Sequence, residues 1–322
     1  MVSDLPPLLA LTGPTASGKT EVGVELALRL GTEIISADSV QVYRHFDIGS
    51  AKPGKETLAR VRHHLIDVAD PDAEFNVAMY RDLAGETARR LWSAGKLPLV
   101  AGGSGLYLRG LTQTLHGGAR LGPDVEAELD LIIESEGQLG LYARLQKADS
   151  ERAARIHPND AFRTRRALGV YLSTGQTMTS LFRENPQKPA FDALIVALEL
   201  PRELLYRRIE ERVGRMLAAG WREETARLAA MGYNDTKPMA SIGYRTLRQQ
   251  LAGALGPDEA RQAIIKETKA FARRQLTWLR SAKAAVTVTV KEDDIPDEIA
   301  RRILAGDQVG RFLARHGVRV RP

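Results

Sequence analysis

Leu8-Leu9-Ala10-Leu11-Thr12-Gly13-Pro14-Thr15-Ala16-Ser17-Gly18-Lys19-Thr20-Glu21-Val22 places three signals in succession. Leu8–Thr12 is short and apolar, the pattern of a buried parallel strand. Gly13–Thr20 fits G-x-x-x-x-G-K-[ST],. Val22, Leu26 and Leu30 then recur four residues apart, which predicts a helix from about Gly18 to Leu30,. A strand, a glycine loop and a helix in that order make a phosphate cradle. The glycines let successive backbone N–H groups of Gly13, Thr15, Ala16, Ser17 and Gly18 border one concavity, with Pro14, which has no N–H, in the same loop, and the helix N-terminus adds partial positive charge. Lys19 is placed to neutralise the terminal phosphate and Thr20 to offer its hydroxyl to Mg²⁺. A plain Gly/Ser turn is the alternative, and a chance match in this context is rare. The loop does not distinguish ATP from another diphosphate.

Working outward, Glu33–Ala37 reads as a second strand ending at Asp38. Asn76–Ala94 is helical, and Pro98–Ala101 is a third strand running into Gly102-Gly103-Ser104-Gly105. Alternation of this kind predicts a doubly wound α/β layer whose ligands lie at the carboxyl ends of the strands. Asp38 then faces the same crevice as the glycine loop and can take a proton from an attacking nucleophile. A helix cap or a magnesium ligand are its other readings. Glycine at 102, 103 and 105 allows close backbone approach, and Ser104 can donate to a diphosphate oxygen, though alone this is a weak signal. His63 and His64 are adjacent on an extended segment, so they point to opposite faces and are not expected to chelate one ion.

Alternation stops near Leu115. Residues 123–184 read as all helical, with breaks at Gly137, Gly140, Pro158-Asn159 and Thr174-Gly175. A β-rich run returns at Ala193–Leu200, followed by a helix led by Pro201,. Everything beyond is read as mostly helical, the longest helix being Pro257–Ala282. The expected fold is therefore α/β, a parallel sheet of P-loop NTPase-like, nucleotide-kinase-like form. Residues 1–118 and 191–322 supply this core, and 119–190 a helical insertion domain.

Composition narrows the chemistry. The 322 residues include no cysteine, which excludes disulfides, thiolate nucleophiles and zinc fingers,. No apolar run approaches the ~20 residues of a membrane helix, and the start lacks a basic n-region, so a cytoplasmic protein is expected. The formal net charge of +6 is compatible with nucleic-acid binding without demonstrating it,. More telling is its placement. Lys266, Lys269, Arg273 and Arg280 share one face of the long helix, opposite Ile264, Ile265, Phe271, Leu276 and Leu279, and Arg163, Arg165 and Arg166 cluster in the insert. Two such patches favour RNA over an ordinary solvated surface.

Taken together, these segments resemble the tRNA dimethylallyltransferase (tRNA isopentenyltransferase) family. The resemblance rests on Gly13–Thr20, Asp38-Ser39-Val40-Gln41-Val42-Tyr43-Arg44, Asp47-Ile48-Gly49-Ser50-Ala51-Lys52-Pro53 and His63-His64-Leu65-Ile66-Asp67. It continues through Gly102–Tyr107, Ile156-His157-Pro158-Asn159-Asp160, Ile242-Gly243-Tyr244-Arg245 and Arg274-Gln275-Leu276-Thr277-Trp278-Leu279-Arg280. It implies that the loop cradles dimethylallyl diphosphate with Mg²⁺ at Thr20, that Asp38 is the general base, and that Ser104 lies beside the scissile carbon–oxygen bond. Arg212, in Arg212-Val213-Gly214-Arg215, matches an arginine that closes over the diphosphate. The anticodon stem-loop of tRNA is expected against Asp38, Ser39, Val40, Gln41 and Ser104. In the insert it is expected against Phe162, Arg163, Thr164, Arg165 and Arg166. Further contacts are expected at Gly243, Tyr244, Arg245, Arg273 and Arg274, and the protein is expected to be a monomer. Phe162, Thr164, Gly169, Thr246 and Glu126 depart from the usual family residues, which bears on local tRNA contacts and leaves the chemistry alone. The target base is normally stacked, so it must be drawn out at a cost of a few kcal/mol. A small-molecule kinase, an adenylate isopentenyltransferase and an RNA-binding protein with a relict loop are the competing readings.

Overall fold

The computed structural model describes residues 5–113, 121–186, 188–282 and 286–321. Leu8, Leu9, Ala10 and Leu11 have no exposed surface, because their strand β1 (Pro7–Thr12) runs through the middle of a parallel sheet covered on both faces,. After it come α1 (Lys19–Leu30), β2 (Ile34–Ser36), the short α2 (Lys55–Arg60) and β3 (His63–His64). Then follow α3 (Val77–Ser93), β4 (Leu99–Ala101) and α4 (Gly105–Thr112).

The insert holds α5 (Pro123–Ala148), α6 (Ser150–Ala153), α7 (Ala161–Thr174) and α8 (Met178–Glu184). Its own core is Leu129, Ile132, Leu141, Leu145, Ala167 and Leu168. Gly137 takes φ 68°, ψ −175° and kinks α5, whereas Gly140 lies within the helix and is not a break. The expected break at Gly140 is thus corrected: glycine tolerates helical φ and ψ at modest cost, so its presence alone does not end a helix. Two compact units result, residues 1–112 with 190–322 and residues 113–189.

The first unit resumes with β5 (Asp192–Glu199), α9 (Arg202–Ala218), α10 (Trp221–Ala230), a single 3₁₀ turn at Pro238–Ala240, and α11 (Tyr244–Leu251). The long α12 (Pro257–Ser281) is followed by β6 (Val286–Thr289), α13 (Pro296–Ala305) and α14 (Asp307–Arg315). The sheet runs β3-β2-β4-β1-β5-β6 with every pairing parallel. Leu9 stands opposite Leu99 on one side and Leu194 on the other, so the loops after β1, β2 and β4 leave from one carboxyl edge,.

The C-terminal third is mostly helical as expected, and β6 adds a short strand to it. Val286-Thr287-Val288-Thr289 alternates between half-buried and exposed positions, the signature of a strand with one face against protein,. Behind it, α13 packs on α1. Asp297 pairs with Arg29, the Arg321 N–H donates to the Arg29 carbonyl at 2.7 Å, and the Arg321 guanidinium lies over Gly31. Among the described residues no helix is long and apolar enough to cross a membrane.

Gly102 shows how tightly β4 and β2 finish. Any Cβ there would run into the backbone of Ala37, which cannot swing aside, while a Cβ on Gly54 (φ −68°) meets nothing within 4 Å. Gly102→Ala is expected to lower unfolding free energy by about 3 kcal/mol or more. Gly54→Ala is expected to stay within about 0.5 kcal/mol, both read by urea denaturation.

Candidate active site

β1 ends at Thr12 and the chain turns at Gly13 (φ 155°), where a Cβ would sit 2.9 Å from both the Leu198 carbonyl and the Ser17 hydroxyl. Ala16 (φ 64°) and Gly18 (φ 84°) are left-handed, a loop conformation that turns successive N–H groups to one side,. Gly18 then starts α1 with no side-chain cap, leaving the first-turn N–H groups to the cleft,. The Lys19 ammonium reaches back across the loop to the Pro14 carbonyl at 2.6 Å and to Ser17 Oγ at 3.4 Å.

This loop opens on a cleft of about 90 Å³. Its walls include Thr15, Lys19 and Thr20 from the loop, Ser36 and Asp38 from the end of β2, and Gly102 and Gly103 from the end of β4. Arg212 from α9 and Gln275 from α12 complete it. Burial pushes the Lys19 pKa down to about 7, and the neighbouring Arg212 charge adds to that shift; Asp38 and Glu21 oppose it. Arg212 is lowered as well, again chiefly by burial, with Asp38 and Glu21 favouring its charge. Two cations therefore share one desolvated cleft.

Asp38 lies two residues beyond β2, and its Oδ1 accepts the N–H groups of Val40 (2.9 Å) and Gln41 (3.2 Å), which fixes the carboxylate. Ser104 Oγ accepts the Ser39 N–H at 3.2 Å and so ties the loops after β2 and β4 together. The close backbone approach that the sequence suggests for the glycines near Ser104 is present, and what approaches is protein. Gly102 abuts Ala37, Gly103 abuts the Gln275 amide, and Gly105 abuts the Trp278 indole.

Gln275 is the residue sequence reasoning misses. Only 8% exposed, it accepts the Thr15 N–H at 2.8 Å and donates to the Gly103 carbonyl at 3.0 Å, joining the phosphate loop to the second glycine loop. It stands in the quoted Arg274–Arg280 run, but helical periodicity marks it only as one more inward position. Arg212 has a similarly faint signal, since resemblance alone singles it out among the arginines of α9.

Several expected tRNA contacts are internal instead. Thr164 is fully buried on α7, and Tyr244 is fully buried with its hydroxyl donating to Glu224 at 2.5 Å. Gly243 (φ 86°) is packed against Trp221. These three cannot meet RNA from within the core. Arg165 is clamped by Glu126 and Asp130, with Nε 3.1 Å from Glu126 Oε2, so its charge is already answered. Lys269 is likewise paired with Glu210 and lies over the Tyr206 ring.

Others stay accessible. Phe162 is 81% exposed beside Arg163, which pairs with Asp160 at 2.9 Å. Arg166 is half-buried, which lowers its pKa. Arg245 pairs with Glu267, Arg273 donates to the Tyr206 hydroxyl at 3.2 Å, and Arg274 lies over the Phe271 ring. His63 and His64 diverge: Nδ1 of the first meets the Val61 carbonyl, and Nε2 of the second meets Glu33.

Comparison with known proteins matches this architecture. Residues 41–282 fit the family model described as IPP transferase, and residues 6–71 the model described as isopentenyl transferase. The chain belongs to the IPP transferase family. A tRNA dimethylallyltransferase of Geobacter sulfurreducens is 44% identical over 284 residues, covering 86% of this chain and 90% of that relative. The relative of the same description in Gloeobacter violaceus is 43% identical over 314 residues, covering 95% of this chain and 99% of its own. The full-length tRNA isopentenylpyrophosphate transferase of Bacillus halodurans has a crystal structure with a TM-score of 0.70 at 34% identity, covering 97% of this chain and 98% of that one. Between them the two family models span the phosphate loop, Asp38, Ser104, Arg212 and Gln275.

A polyanion entering this IPP transferase's cleft restores the Lys19 charge, so binding takes up a proton wherever the free ammonium is partly neutral. Inorganic diphosphate is expected to bind more weakly as pH rises beyond about 7, with uptake of up to about one proton,. Calorimetry in buffers of different ionisation enthalpy measures that uptake. Lys19→Arg, which stays charged, is expected to abolish the Lys19 share.

Proposed function

We propose that this chain transfers a dimethylallyl group from dimethylallyl diphosphate to the exocyclic N6 amino group of an adenine in tRNA. The acceptor is the adenosine just 3′ of the anticodon in tRNAs reading codons that begin with U, and the reaction takes place in the cytoplasm. The observation carrying this reading is the meeting of Lys19, Arg212 and the phosphate loop with a fixed carboxylate, Asp38, in one cleft. Membership of the IPP transferase family, with relatives named tRNA dimethylallyltransferase, supports this choice of donor and acceptor.

The residues divide the work by charge. As the allylic carbon–oxygen bond breaks, its electron pair leaves on the diphosphate, where Lys19, Arg212 and the loop N–H groups neutralise it. The amine nitrogen bonds the allylic carbon and its proton passes to the Asp38 carboxylate, whose Oδ1 is already held by backbone N–H groups and whose Oδ2 remains to receive it,. An ordinary carboxylate suffices, because the amine becomes acidic only as the new bond forms.

Mg²⁺ fits this donor set. Among the described residues no group of three His, Asp or Glu side chains could hold an ion alone, and Thr20 borders the cleft at the head of α1. Thr20 and the diphosphate oxygens would hold it, as Mg²⁺ commonly relies on substrate phosphates. Bound there, the ion adds Lewis-acid neutralisation of the leaving group.

Incubation with labelled dimethylallyl diphosphate and bulk tRNA is expected to label the RNA, with ATP neither hydrolysed nor supporting transfer. ATP turnover stimulated by a small acceptor would establish a kinase instead. Asp38→Ala is expected to lower turnover by about 10²–10⁴-fold while tRNA affinity changes far less. Loss of tRNA affinity with turnover preserved at saturation would make Asp38 a binding residue.

A further inference from the structure

We infer that Glu224, on α10, is the positioning residue for the acceptor side of the cleft, holding the Asp47–Gly49 turn and through it the segment that borders Asp38. This rests on the proposed acceptor chemistry for its functional reading, though the geometry stands by itself. Glu224 is 4% exposed. Its Oε2 accepts the N–H groups of Asp47 (3.1 Å) and Ile48 (2.8 Å), and its Oε1 accepts the Gly49 N–H (3.1 Å) and the Tyr244 hydroxyl (2.5 Å). Four donors converge on two oxygens, an arrangement only an acceptor-only group satisfies completely.

The packing around it leaves the turn no alternative. Trp221, one helical turn before Glu224, lies between Gly49 and Gly243, and a Cβ on either glycine would strike the indole. Tyr244 stands edge-on to both Trp221 and Phe46.

From this anchor the constraint runs to the cleft. Ala51 is left-handed (φ 48°), a conformation a non-glycine residue keeps only when its surroundings impose it,. The Ser50 and Ala51 carbonyls both accept from Gln41 Nε2 at 3.2 Å. Lys52, its side chain 6% exposed, bridges Asp47 and Asp67 at 2.6 Å each. Gln41, Ala51 and Pro53 line the cleft with Asp38, and the Gln41 N–H is one of the two that hold the Asp38 carboxylate. The phosphate loop has a separate anchor in Gln275. Glu224 therefore governs acceptor geometry and leaves the diphosphate side alone.

Glu224→Gln keeps the volume and replaces one acceptor oxygen by a donor facing donors; Tyr244→Phe removes a single hydrogen bond and serves if the first variant fails to fold. For each, three quantities are measured: inorganic diphosphate affinity, kcat and KM for tRNA with dimethylallyl diphosphate, and amide hydrogen exchange. Diphosphate affinity is expected within about twofold of the parent, with kcat/KM for tRNA lower by about 10–100-fold in Glu224→Gln and less in Tyr244→Phe. Exchange is expected to quicken at Asp47–Gly49, Gln41 and Ala51 and to hold steady at Thr15 and Lys19. An unchanged kcat/KM overturns the inference, as does a diphosphate affinity that falls in step with it. A parent protein unable to prenylate tRNA refutes the proposed function instead. The inference is then decided by exchange alone: no quickening at Gln41 and Ala51 overturns it.

Discussion

Two half-buried cations, Lys19 and Arg212, line the same cleft, and the rest of the unit is arranged so that this can persist. Each is shifted toward neutrality by burial, and only Asp38 and Glu21 favour their charged forms. The N-terminus of α1 and the loop N–H groups add potential of the same sign. Such a site stores unfavourable electrostatics in the free protein and releases it when a polyanion enters. In the proposed reaction such charge complementarity would be set beforehand, leaving little reorganisation for the step in which the leaving group takes up negative charge.

A rigid frame is the condition for that arrangement, and its two halves have different anchors. Helix α12 holds the phosphate side, with Gln275 bonded to Thr15 and Gly103 and Trp278 seated on Gly105. Helices α10 and α11 hold the opposite wall through Glu224, Trp221 and Tyr244. The wall so held is strained: His45, Ala51, Leu65 and Asp67 all have positive φ within one stretch. Each such residue costs on the order of 1–3 kcal/mol, so the contacts that impose them must be firm.

Much of this was legible in the sequence because it depends on local periodicity and backbone chemistry. The β1-loop-α1 unit, the strand ending at Asp38 and the long helix from Pro257 all follow from such patterns. Long-range pairing was not legible. Val286–Thr289 has an alternating pattern, but nothing local says it pairs with β5. Arg165 reads as a surface cation until α5 brings Glu126 and Asp130 beside it. Thr164 and Tyr244 are polar by type, and only packing reveals that they lie inside. Gln275 and Glu224 are ordinary helical residues in sequence, and each is distinguished by partners more than 170 residues away.

The cover over α1 has a bearing on how the chain reaches its fold. Arg29 and Asp297 are 268 residues apart, and β6 adds the last strand of the sheet. During synthesis the phosphate loop emerges early, yet the helix behind it lacks its packing partner until α13 has left the ribosome. Contacts of such separation make folding slow, because loop closure precedes any gain from them. Leu8–Leu11 lack their strand neighbours until β4 and β5 have been made, and the face of α1 that meets α13 waits longer still, so both need protection from aggregation in the interval,. The helical insert, with a core of its own between β4 and β5, can settle during that interval.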